Sequence, residues 1–340
     1  MPLKTPQDIN QSMLSAIENE MQQVVAQVDN QGLQQFYEIM AYHLGWQGEG
    51  SGPEARGKRF RPLLLLLCCT AAGGEWEKAL PAAAAVELLH NFSLIHDDIE
   101  DNSPLRRGRL TVWKKWGIPQ AINTGDAMLT LAHLAMLRLD DSVTCDVLTD
   151  LVRILQETCL KLTQGQYLDI SFENRQDITL QEYWQMVEGK TAALISACAT
   201  IGALIGGAQA AVCQHYKDFG YYLGLAFQAQ DDLLGIWGDA ALTGKSNESD
   251  LISGKKTLPV LYGLSLGKKF AARWNMGNIE ACEVPQLSAL LESEGGLDFT
   301  QKETSRLTHL ALENFYLAEP QQPAKDQIIE IANKFLKRSK

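Results

Sequence analysis

Almost nothing in these 340 residues reads as a β-strand. Strict apolar–polar alternation is rare and β-branched clusters are short, while Ala, Leu, Gln and Glu fill long segments with helical periodicity. The fold class read from the pattern is therefore all-α. Helices are expected over roughly 6–28, 33–45, 58–72, 78–102, 119–138, 143–172, 179–188, 190–206, 208–236, 256–266, 285–294, 299–317 and 321–338. Gly73-Gly74, Gly206-Gly207 and Gly295-Gly296 read as helix stops, and Pro81, Pro119 and Pro259 as helix starts. No linker divides the chain, so one domain over 1–340 is expected.

Composition narrows the function. The net charge of −11 argues against nucleic acid, because neutralising phosphates needs a basic surface. A small anionic substrate stays open, since a local basic cluster can sit in an acidic protein. No stretch reads as a bilayer span, the densest apolar run being Pro62 to Cys69, and residues 1–30 carry no signal-peptide core. A cytoplasmic protein is expected. Seven cysteines without CxxC spacing suggest reduced thiols, with Cys68, Cys69, Cys159 and Cys198 packed in the core.

Two acid pairs stand out, each late in an expected helix and each followed by a loop with cations. In Ser93-Leu-Ile-His-Asp97-Asp98-Ile-Glu-Asp101, Asp97 and Asp101 are four apart and share one helix face. Such crowded acids must be solvated or neutralised by a cation, and hard oxygen ligands at this spacing suit Mg²⁺. A solvated helix end would explain the first cluster alone. The second pair, Asp231-Asp232, follows the largely apolar stretch from Gly220 to Ala229, where an acid is seldom found unless paired or metal-bound. Two such clusters are suited to holding metal ions that clamp a diphosphate and neutralise the charge it gains on leaving.

The cations fit an anionic substrate. Lys58, Arg59 and Arg61 stand at the head of an apolar helix, whose first N–H groups add to an anion site. Arg106-Arg107-Gly108 follows the first acid cluster. Lys190, Lys245 and Lys255 each sit beside a glycine near an expected helix start, and none matches a P-loop. Taken singly, each is an ordinary surface charge.

The set GKRFRP, HNFSLIHDDIEDNSPLRRG, EGKTAAL, FQAQDD, TGKS and GKKTLP, in that order between Gly57 and Pro259, resembles the trans-type polyprenyl (isoprenyl) diphosphate synthases, of the geranylgeranyl type. The resemblance implies a single-domain bundle of long antiparallel helices around a central active-site cavity, a homodimer, and several Mg²⁺ ions per site. It assigns Mg²⁺ and the allylic diphosphate to Asp97, Asp98, Asp101, Asp231 and Asp232. Isopentenyl diphosphate falls to Lys58, Arg61, Arg107 and the position of His90, and Arg106, Lys190, Thr191, Gln228, Lys245 and Lys255 lie near the allylic diphosphate. The implied reaction ionises the allylic diphosphate and adds isopentenyl diphosphate to the cation.

Three features depart from the pattern. The second motif usually reads DDxxD, whereas Gly235 holds its last position, with Asp239 a further turn on. Trp113 replaces a polar ring, and the first 50 residues carry no motif. Rivals are a class I terpene cyclase of similar fold, which has no need of the isopentenyl site, and a non-catalytic subunit of a heteromeric synthase. A helical metal phosphohydrolase built on His96-Asp97 would need His43 and His90 as further ligands. Chain length points to about C20: the resemblance makes the aromatic five residues before the first motif, Phe92, a channel block. At ~100° per residue Ser93 lies nearer the Asp97 face and Phe92 on its flank, leaving room beneath the metals but a cap at the side.

Overall fold

The computed structural model describes residues 6–28, 31–238 and 249–336, which are helical nearly throughout. Helices run α1 Pro6–Val25, α2 Gln34–His43, α3 Pro53–Arg56, α4 Phe60–Ala71, α5 Leu80–Glu100, α6 Val112–Trp116, α7 Ile118–Leu137, α8 Cys145–Glu173, α9 Leu180–Val187, α10 Ala193–Ile205 and α11 Ala210–Trp237. They continue as α12 Ser249–Ile252, α13 Leu258–Ser265, α14 Lys269–Trp274, α15 Val284–Ser293, α16 Gly296–Leu317 and α17 Ala324–Leu336. The long helices fall where periodicity places them, and the short ones, α3, α6, α12 and α14, were not anticipated. Pro81, Pro119 and Pro259 occupy first turns, where the missing N–H costs nothing.

The glycine stops hold for a conformational reason. Gly73 and Gly207 take φ +98° and +84°, and Gly74 N–H and Ala208 N–H reach back to Cys69 O and Ala203 O. This left-handed closure suits a residue without Cβ. α5 ends the same way on Asn102, at φ +50°. Ser103 N–H donates to Asp98 O and Asn102 N–H to Ile99 O, so the first acid cluster stands on a tightly closed helix end.

Two compact units emerge. Unit 1 comprises residues 1–159, 197–216 and 320–328, and unit 2 comprises 160–196, 217–319 and 329–340. In unit 1, α5 packs on α1, α4 and α7, its first turns made of fully buried Ala82 to Ala85, which let neighbouring backbones approach. Burying the five leucines Leu63 to Leu67 of α4 contributes about 2 kcal/mol each. In unit 2 one cluster joins Tyr183, Met186, Leu225, Leu258 and Leu307 and another gathers Ile236, Leu251, Phe270 and Leu291.

One element is new and one expectation needs correction. A hairpin of two-residue strands, β1 Leu105–Arg106 and β2 Arg109–Leu110, interrupts the helices. Arg107 and Gly108, at φ +52° and +74°, form its turn, the geometry that matches strand twist in a two-residue loop. And one helical run, Leu180–Ile205, is long and apolar enough to cross a membrane, although 67% of its apolar window is buried within the protein, as in a core helix. The seven cysteines are all thiols, with Cys68, Cys69, Cys198 and Cys213 buried and Cys159 half-buried.

Candidate active site

In unit 1 the acids sit on the last turn of α5. Asp97 is half-buried, Asp98 buried and Asp101 exposed. Asp101 N–H donates to Asp97 O at 2.9 Å, so the two stay one turn apart on one face at the helix end. Arg106 Nε, presented by the hairpin, bonds Asp98 Oδ1 at 2.8 Å, whereas Asp98 Oδ2 is buried with no hydrogen-bond partner. Burial pushes the Asp98 carboxyl up to about 6 against the pull of Arg106.

The cations of unit 1 divide into scaffold and site. Arg59 was expected among the anion-binding group, but it is buried, with Nε on Glu18 at 2.6 Å and Nη1 on Glu87 at 2.8 Å. A third bond runs to Leu44 O. These hold its φ at +46°, a conformation costly for a side chain with Cβ, and so set the entry of α4. Arg59 is consumed by the fold, and Lys58 and Arg61 flank it. Arg61 Nη1 lies 3.2 Å from His90 Nε2; an arginine can only donate, so Nε2 accepts. Burial and the nearby charges of Arg61, Arg107, Arg106 and Arg59 hold His90 well below the usual histidine value, and it is neutral. Its Nε2 is taken by Arg61 and the surrounding arginines repel a metal ion, which counts against His90 as a phosphohydrolase ligand. Arg107 Nη1 donates to Ala55 O at 2.9 Å, and a Cβ at Gly57 would press into its guanidinium at 2.7 Å, so this glycine is needed for the approach. Arg61 Nε is buried with no partner. An anion is the natural acceptor for it.

Phe92 is buried against His96, with ring centroids 4.8 Å apart at 66°, and a Cβ on Gly125 of α7 would collide with the His96 ring. Phe92 is thus held on the α7 side of α5, while Ser93 Oγ folds back to His90 O at 2.9 Å. Trp113 gains an explanation, because its Nε1 donates to Ser103 O at 2.9 Å and ties α6 to the loop after the acids.

Unit 2 is organised on Asp232. This buried carboxylate accepts from Tyr183 Oη at 2.6 Å, Leu258 N at 2.8 Å and Gln228 Nε2 at 2.8 Å, and Thr191 Oγ1 donates to Gln228 Oε1 at 2.9 Å. Burial still pushes Asp232 up to about 6. Thr191 and Gln228 are spent on this relay, and Asp231, half-buried, is the acid of the pair with a different outlook. Lys190 was expected near a helix start, yet it lies in a π turn, Glu188–Ala192, inside a continuous helical run. Such turns re-aim side chains within a helix. Gly165 and Gly189 let α8 approach this turn, a Cβ on Gly189 meeting Lys161 O at 2.6 Å. Asp169, one turn after Gly165, then pairs with Lys190. Burial would lower the Lys255 ammonium, but Asp169, Asp232, Asp250 and Asp231 outweigh it and hold it above the ordinary lysine value.

Sequence reading missed Asp169, Tyr183 and the Glu18–Glu87 pair. A glycine one turn before an acid was a signal for the first; nothing marks the others. Lys245 and Asp239 lie outside the described residues. Among the described residues no three His, Cys, Asp or Glu side chains converge on one point. Half-buried Asp97 and Asp231 and exposed Asp101 offer carboxylate oxygens, the ligand type that hard cations such as Mg²⁺ take. A groove of about 620 Å³ lined by Leu33, Phe36, Ile39 and Trp116 holds none of the candidate residues.

Known proteins resemble the chain in sequence and in structure. The profile of the family described as polyprenyl synthetase matches residues 52–283. The chain is 43% identical over 279 residues to the (2E,6E)-farnesyl diphosphate synthase of Mycobacterium tuberculosis (strain ATCC 25618 / H37Rv), covering 79% of this chain and 76% of that one. It is 40% identical over 271 residues to the geranylgeranyl diphosphate synthase of the same strain, covering 78% and 77%. The crystal structure of a polyprenyl synthetase from Streptomyces coelicolor A3(2) superposes with a TM-score of 0.87 at 34% identity, over 96% of this chain and 98% of that one. Identities of 43% and 40% are too close to choose a product length.

Proposed function

Because the chain belongs to the polyprenyl synthetase family and is a prenyltransferase, we propose that it condenses isopentenyl diphosphate with allylic diphosphates, using Mg²⁺, to give geranylgeranyl diphosphate. In unit 1, Asp97, Asp98 and Asp101 take Mg²⁺, and Lys58, Arg61 and Arg107 bind isopentenyl diphosphate beside neutral His90. In unit 2, Asp231 takes Mg²⁺, while Lys190, Lys255 and Lys245 bind the allylic diphosphate; Asp232, Gln228 and Thr191 fix their surroundings. Bound Mg²⁺ neutralises the charge that diphosphate gains as it leaves. The chain's own part is positioning and electrostatic stabilisation, and no side chain needs to form a covalent bond.

The reading rests above all on Arg61 Nε, a buried donor without a partner in a basic group within an acidic protein. A cyclase has no use for this group. Phe92 and Ser93 set the product near C20. A homodimer in the cytoplasm completes the proposal, its mass in solution giving the check. The purified protein, incubated with Mg²⁺, isopentenyl diphosphate and each allylic primer in turn, is expected to yield mainly a C20 alcohol after dephosphorylation. No elongated product from any primer, or loss of none of it with chelator, overturns the reading.

A further inference from the structure

Gly235 stands where the second acidic motif carries its last acid in the resembled pattern, four residues beyond Asp231. Residues four apart share a helix face, so an acid there would stand one turn above Asp231. That place is filled from elsewhere in unit 2. A Cβ built on Gly235 collides with Asp250 Oδ2 and lies 2.8 Å from its Cγ, so the Asp250 carboxylate rests where a side chain at 235 would begin. Asp250 is half-buried on α12, and its main-chain carbonyl accepts Lys255 N–H at 3.0 Å. The side chain of Lys255 in turn feels the charges of Asp169, Asp232, Asp250 and Asp231.

We propose that Asp250 is a positioning residue of the unit 2 site: it supplies, from α12, the carboxylate that α11 lacks at 235, and with it holds Lys255 for the allylic diphosphate. The glycine at 235 is then a requirement rather than a loss, because any Cβ there evicts the carboxylate. Restoring the usual acid at 235 puts two carboxylates in one place. This deepens the proposed function and rests on its assignment of Lys255.

Four variants test it: Asp250→Asn, Asp250→Gly, Gly235→Asp, and the exchange Gly235→Asp with Asp250→Gly. The readouts are KM for each substrate, kcat, melting temperature, and calorimetric Kd for an unreactive allylic thiodiphosphate and for inorganic pyrophosphate, both with Mg²⁺. Asp250→Asn is expected to raise the allylic KM and both Kd values about tenfold, the scale of one charged hydrogen bond. The KM for isopentenyl diphosphate stays within about twofold. Gly235→Asp alone weakens binding, and the exchange binds more tightly than Asp250→Gly. Gly235→Asp binding as well as the unaltered protein, or an exchange no better than Asp250→Gly, overturns the proposal. So does an equal rise in both KM values with a lowered melting temperature, which marks a purely structural role. If the unaltered protein makes no prenyl product, the proposed function fails, while the pyrophosphate Kd series still judges Asp250.

Discussion

The two acid pairs use one arrangement with opposite means of stabilisation. In each, the first acid, Asp97 or Asp231, is half-buried and the second, Asp98 or Asp232, is buried. Adjacent helical residues point about 100° apart, so one member faces inward as the other faces away. Asp98 is balanced by a cation, Arg106, while Asp232 is balanced by three neutral donors from α9, α11 and the start of α13. The second member of each doubled aspartate is therefore anchored in the fold, Asp98 through one oxygen and Asp232 through two. The closed end of α5 leaves one oxygen of Asp98 unpartnered, whereas both oxygens of Asp232 are taken.

The largest effects test which member works. Asp97→Ala and Asp231→Ala are expected to lower kcat on the order of a thousandfold or more, each removing a proposed metal ligand, with circular dichroism and melting temperature nearly unchanged. Near-normal turnover in either would assign the chemistry to the buried partner instead. Stability should rank the buried acids the other way. Asp232→Ala strands three buried donors, for a loss of about 3 kcal/mol, whereas Asp98→Ala frees Arg106 to reach water and costs about 1 kcal/mol. Urea denaturation of the two variants, side by side, checks the order, and equal losses would erase the contrast between charged and neutral support.

A smaller effect is visible with pH. The folded protein holds the Asp232 proton up to about 6, above the unfolded carboxyl near 3.8. The fold thus binds this proton more tightly than the unfolded chain does. Its contribution to stability increases as pH falls through 6 and levels off below the unfolded value. Between pH 7 and pH 5 this group gains about 1 kcal/mol in chelator; Asp98, also pushed up to about 6, adds a similar gain, so Asp232→Asn should remove about half of the slope in denaturation curves. The least perturbing changes concern Phe92 and Ser93, the length-setting residues proposed on α5. Phe92→Ala is expected to shift the product upward by about one isoprene unit and Ser93→Phe downward toward C15, as lost or added bulk alters the space for the tail. Chromatography of the dephosphorylated alcohols reads both, and an unchanged distribution in the pair would move the channel floor off α5.

Much of this was legible in the residues. The long helices, their proline starts and their glycine stops follow from local propensity and left-handed closure, which depend on a few neighbours along the chain. The acid pairs and the basic runs could be listed for the same reason. The division of labour within them could not. That Arg59 belongs to Glu18 and Glu87 rather than to a substrate depends on residues far apart in sequence. So do the pairing of Lys190 with Asp169 and the spending of Gln228 and Thr191 on Asp232.

By itself the sequence determined an all-helical chain of a particular prenyl-transfer family, because periodicity, capping and motif order are written within short windows. The tertiary structure decided which charges remain available for chemistry. It turned one of the three cations at the head of α4 into scaffold, buried one acid of each pair, and set the Asp250 carboxylate against Gly235. The physical reason is desolvation: a charge removed from water must find a partner nearby in space, and spatial neighbours exist only once the helices have packed.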